Sequence, residues 1–101
     1  MGESPDYPAI FVSDGTVMIT LWQVSEPGTA NGFDRHQNVG LHHLALRVGT
    51  FEDLEQIHAV LQRTPNVEIE AAPQQLGTTA RMHMMCREPG GIRIEFATSP
   101  A

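Results

Sequence analysis

Between residues 39 and 97 the apolar period of the chain changes from two to 3.6 and back to two, and this switch limits the possible folds more than any other feature. Residues 39–48 alternate as a strand. Thr50-Phe51-Glu52-Asp53 approximates a capping box, with Asp53 in place of the usual Glu or Gln. Phe51, Leu54, Ile57, His58 and Leu61 then recur at helical spacing and give one buried stripe, which Pro65 and Asn66 end. Residues 67–71 alternate again, 72–79 read as a loop, and 80–87 read as a strand. Glu88-Pro89-Gly90-Gly91 makes a tight turn with no helix after it to form a phosphate site, and 92–97 close the module as a strand. The order βαβββ predicts an α+β fold in which one helix covers one face of a sheet.

Parity along those strands sorts the side chains. Leu44, Leu46, Val48, Val67, Ile69, Met82, Met84, Ile92, Ile94 and Phe96 form the face the helix must cover. The opposite face holds His43, Arg47, His83, Arg93 and Glu95, and His43 and Glu95 point into a common open cavity. A neutral imidazole and a carboxylate suit a divalent first-row metal, or equally a general base and its partner. His83 reads as a further ligand, an acid/base, or a solvated strand histidine. Arg47 and Arg93 either hold an anionic substrate or pair with Glu95 and Glu68. By the same parity His42 faces the helix side or the strand edge and is structural, while His36 is solvated and His58 sits at a boundary.

Ahead of the module, residues 8–13 and 16–24 read as strands joined at Asp14-Gly15, a hairpin, and residues 25–38 as a polar loop. Met18, Thr20 and Trp22 share one hairpin face and are candidates for a substrate-cavity wall, or simply core. All 101 residues fit one domain.

Composition narrows the class. A 41% hydrophobic and 18% charged chain is ordinary for a soluble globular protein, and no apolar run nears the roughly 18 residues of a membrane span. The N-terminus has no secretory character, so a cytoplasmic location is expected. A net charge of −6 argues against nucleic acid as a partner. The single cysteine, Cys86, excludes an internal disulfide and reads as a buried, inert thiol.

Gly-Leu-His-His-Leu-Ala-Leu-Arg-Val, a helix, and then Glu-Pro-Gly-Gly-Ile-Arg-Ile-Glu-Phe resemble the vicinal oxygen chelate superfamily, which includes glyoxalase I, extradiol dioxygenases, methylmalonyl-CoA epimerase and the fosfomycin- and bleomycin-resistance proteins. The resemblance covers residues 40–97 and implies that His43 is the opening metal ligand and Glu95 the closing one, with His83 a candidate base and one divalent ion (Zn, Fe, Mn or Ni) as cofactor. It implies a small-molecule ligand: either a metal-dependent lyase, isomerase or dioxygenase acts on a vicinal-oxygen substrate, or a metal-free, bleomycin-resistance-like protein sequesters its ligand. Family domains pair two modules, and here residues 8–24 match only the last two strands of a first one, with Thr20 where a ligand carboxylate would stand. A homodimer in which a second copy covers Val17, Ile19 and Leu21 or completes the sheet is therefore expected.

Overall fold

The computed structural model describes residues 9–26 and 28–99. The chain divides into two compact units, Met1–Asn31 and Gly32–Ala101. The first holds β1 (Ala9–Ser13) and β2 (Met18–Trp22), paired antiparallel with Phe11 opposite Thr20. The second strand is shorter than residues 16–24. Asp14 Oδ1 accepts the backbone N–H groups of Thr16 at 2.8 Å and Val17 at 2.9 Å, so those two residues belong to the turn, with Gly15 at φ 92°. Large apolar side chains are exposed on both sides of this hairpin. Ile10, Val12, Val17 and Leu21 are about half exposed, and Met18 and Trp22 are 63% and 59% exposed.

The second unit is the βαβββ module. Its elements are β3 (Leu44–Val48), α1 (Phe51–Gln62), β4 (Glu68–Gln75), β5 (Met82–Arg87) and β6 (Arg93–Thr98). The sheet order is β3-β6-β5-β4, with β3 parallel to β6 and the other pairs antiparallel. The first and last strands of the module are thus neighbours, and this brings residue 43 beside residue 95.

The helix starts where the capping signal places it. Thr50 Oγ1 accepts from the Asp53 N–H at 3.1 Å, and Asp53 Oδ2 accepts from the Thr50 N–H at 2.9 Å. It packs over β4, β5 and β6. Leu54 is its one fully buried residue, and Ile57, His58 and Leu61 are half-buried. Phe51 leaves the expected stripe: it is 41% exposed. Below the helix lie Leu44, Ile94 and Cys86 in one cross-strand row and Leu46, Phe96 and Met84 in the next. Met84 and Cys86 are almost completely buried, and this is the core.

Two expected boundaries move. The module's first strand begins at Leu44 rather than Val39, since Leu44 pairs with Ile94 and β6 begins only one residue earlier; residues 39–43 have no sheet partner. The expected loop 72–79 is in part strand, because β4 runs on to Gln75 through Pro73. Its register shifts between Ile69 and Ala71 and again between Ala71 and Gln74. A proline is tolerated there because β4 is an edge strand with bulges. Among the described residues no helix is long and apolar enough to cross a membrane.

Candidate functional site

The polar face of the module sheet is built by β3, β6, β5 and the first half of β4. Across it run Ala45, Glu95, Met85 and Ala71 in one row and Arg47, Ala97 and His83 in the next. Met85 and Ala97 are buried, and the ionisable groups stand around them, Glu95, His83 and Arg93 largely covered and Arg47 exposed.

Glu95 is the centre of the arrangement. Its Oε1 lies 3.1 Å from His43 Nε2 and its Oε2 lies 2.7 Å from His83 Nδ1, so both carboxylate oxygens are engaged by imidazoles. The Glu95 and His83 side chains keep 12% and 15% of their exposure and His43 keeps 33%, which sets His43 nearest to solvent. With Glu95 ionised, His83 Nδ1–H donates and its Nε2 is left as a proton acceptor. A carboxylate-oriented imidazole of this kind is a competent general base.

His42 is not on the helix side. Its Nδ1 lies 2.8 Å from His43 Nδ1, and Arg93 Nη1 lies 3.2 Å from the same ring. The parity rule fails at this position because residues 42 and 43 precede the strand and are not held in its pleat. Removal from water, then the charge of Arg93, hold the His42 pKa below its usual value.

The arginine expectation is corrected in its partner. Arg93 pairs with Glu70 rather than Glu95 or Glu68, its Nε and Nη2 each 3.1 Å from Glu70 Oε1. Glu70 also meets Arg87 Nε at 3.3 Å and Arg35 Nη1 at 3.9 Å, and Arg87 further pairs with Glu68. The bulge beside Glu70 lets one carboxylate gather three guanidinium groups. Arg47, by contrast, is exposed and forms no ion pair among the described residues. Met18, Thr20 and Trp22 lie on one face of the hairpin, Thr20 half-buried and the other two exposed. His36 lies 3.4 Å from Asp34 at the surface. The Cys86 thiol is buried on the helix side, and burial pushes its pKa up, as do the charges of Glu70 and Glu88.

Sequence reasoning missed His42, Glu70 and Arg35. From the sequence, Glu70 and Arg35 have no assigned role and His42 a structural one, and nothing in the spacing signalled the register shift beside Glu70.

Among the described residues no group of three or more His, Cys, Asp or Glu side chains is arranged to hold a metal ion. Two donors do suit one. His43 Nε2 and Glu95 Oε1 are 3.1 Å apart, close to the roughly 3 Å between adjacent ligands of an ion whose bonds are about 2.0–2.1 Å. His83 bonds the other carboxylate oxygen, where it would be the outer partner that orients Glu95 if an ion were held there.

The family model of the Glyoxalase/Bleomycin resistance protein/Dioxygenase superfamily matches residues 1–96. No curated protein and no solved structure matches the chain.

Proposed function

The chain belongs to the Glyoxalase/Bleomycin resistance protein/Dioxygenase superfamily, and from that premise we propose that it binds a small molecule on the polar face of its module sheet, centred on Glu95. The observation that carries the reading is the Glu95 carboxylate set between His43 and His83 on the polar face, with His43 the most open of the three. In the leading form of the proposal His43 and Glu95 hold a divalent ion and His83 is the base. Such an ion, when bound, stabilises an enolate or oxyanion on a substrate with two adjacent oxygens. The chain's own residues do the rest. Glu95 Oε2 fixes the His83 tautomer, and His83 Nε2 takes a proton from the ligand. The resulting imidazolium stays next to an anionic carboxylate, which lowers the cost of forming it. The substrate class is one with vicinal oxygens, acted on by a lyase, an isomerase or a dioxygenase.

The second reading is metal-free sequestration of a ligand. It is supported by the imidazoles that stand at both Glu95 oxygens and by Thr20, a poor ligand, in the closing-strand position of the hairpin. Metal content of protein purified without chelator separates the two. Stoichiometric metal that disappears in His43→Ala and Glu95→Gln supports the enzyme; metal-free protein that folds normally in all three forms supports sequestration and sinks the metal reading.

The proposal includes a homodimer. The hairpin exposes large apolar side chains on both of its sides, more than a solvated two-stranded ribbon tolerates. Light scattering at micromolar concentration should give twice the mass of the 11.1 kDa chain, and a clean monomer would overturn this part.

A further inference from the structure

The polar face differs in charge from the chain that carries it. The whole chain has twelve acidic residues against six basic ones, and all six of these are arginines. Three of the six, Arg47, Arg87 and Arg93, stand on the polar face, and Arg35 reaches it through Glu70. Only Glu68, Glu70 and Glu95 answer them there. In an acidic chain this face is the place where cations gather.

Within that set Arg47 is the exception. Arg35, Arg87 and Arg93 are all tied to Glu70, and Arg93 is only 12% exposed. Arg47 stands one diagonal step from Glu95 on the neighbouring strand, where an ion pair would ordinarily form. It does not form; the side chains that stand at the two Glu95 oxygens are those of His43 and His83. Arg47 is thus the polar-face arginine left without a carboxylate among the described residues, and it is exposed.

The register sets its relation to the base. Arg47 and His83 are both paired with Ala97, from opposite sides, on one face of the sheet. Two strand spacings place their Cα atoms roughly 9–10 Å apart. The side chain between them is a single methyl group, so no bulky side chain of the middle strand stands between the guanidinium and the imidazole. A ligand of several heavy atoms spans that gap.

We infer that the ligand of this site is an anion, carrying a carboxylate or phosphate group that Arg47 grips while His83 faces the atom that gives up its proton. The inference rests on the polar-face site proposed above and adds its ligand class. A guanidinium matches either group with two parallel N–H donors, which a lysine would not do. The His83 and His43 rings stand at the two Glu95 oxygens, so neither oxygen is turned bare toward an anion in this row.

The test uses the 101-residue chain at low ionic strength, titrated with inorganic phosphate, with succinate as a carboxylate probe, and with glycerol as an uncharged control. Binding is followed by the side-chain NMR signals of arginine Nε–H and histidine. Both anions should shift the Arg47 and His83 signals, glycerol should not, and a tighter response to one anion identifies which group the site prefers. Arg47→Gln should weaken anion binding about tenfold or more, the loss of one charge-assisted contact. Arg63→Gln, at an arginine at the end of the helix, should leave it unchanged. Equal anion affinity in Arg47→Gln, with His83 still responding, overturns the role of Arg47 and leaves the site standing. No response from His43 or His83 to any probe overturns both the anion inference and the site beneath it. Equal weakening by Arg63→Gln reduces the effect to general charge and also overturns the inference.

Discussion

Replacing Leu54 by alanine tests the fold that positions the site. Leu54 is the one helix residue with no exposed surface, and the helix rests through it on the strands that carry His83 and Glu95. The change removes a buried isobutyl group. Burial of apolar area at about 25 cal/mol per Å² makes a leucine side chain worth roughly 1.5–3 kcal/mol, and the cavity left behind raises the loss to about 2–5 kcal/mol. A chain of 101 residues has a total stability of roughly 5–15 kcal/mol, so the mutation consumes a large part of it. At about 4–8 °C per kcal/mol the melting temperature should fall by at least about 8 °C. Val60→Ala, on the same helix but 52% exposed, should cost under about 1 kcal/mol. Urea unfolding followed by far-ultraviolet circular dichroism reads both. A Leu54→Ala loss below 1 kcal/mol, or one equal to that of Val60→Ala, would refute the claim that α1 is fastened to the sheet through this residue.

Gly91 sits at φ 98°, and a Cβ there would lie 2.2 Å from the Phe33 carbonyl oxygen, so Gly91→Ala should destabilise by about 1–3 kcal/mol and release Phe33 N–H from Gly90 O, visible as faster amide exchange at Phe33. Thr50→Ala removes one half of the capping box and should cost about 1 kcal/mol in urea unfolding, with Thr50→Asp close to neutral. The Cys86 thiol has its pKa raised by burial, so the native protein should resist alkylation at pH 8 and react fully once unfolded. The sign of its linkage follows: the unfolded thiol ionises first, so stability falls as pH rises past the unfolded value. His42 shifts the other way. Burial, and then the charge of Arg93, hold its folded pKa below the ordinary histidine value, so the unfolded state binds the proton more readily and stability falls as pH drops through about 6.5, the unfolded value; His42→Gln should flatten that part of the profile, and an unchanged slope would count against both effects.

Much of this arrangement was legible from residue types. The change of period marked the helix between strands, and Thr50 with Asp53 marked its start. Strand parity also placed His83, Arg47 and Glu95 on one face, as the register of β3, β5 and β6 does. Parity works where a strand is held flat by partners on its edges. It failed at His42, where the pairing with β6 has not begun, and it could not announce the bulge beside Glu70, since a bulge breaks the very alternation used to read the strand. The reach of β4 past Pro73 was hidden for a related reason: proline argues against a central strand, and only the sheet order shows β4 to be at an edge.

The parallel pairing of β3 with β6 has a consequence in time as well as space. His83 and Glu95 are 12 residues apart in an antiparallel hairpin and meet through a short loop closure. The β3–β6 junction is also fastened by the Ser99 hydroxyl on the Val48 carbonyl, a closure of 51 residues, and His43 joins Glu95 only when that junction forms. Contacts of high sequence separation form slowly, because the entropy of closing the loop is lost before the contacts reward it. The histidine nearest to solvent is therefore the last member of the site to arrive during folding. It is also the first to leave when the β3 edge frays, so the half-site of His83 and Glu95 outlives the complete one.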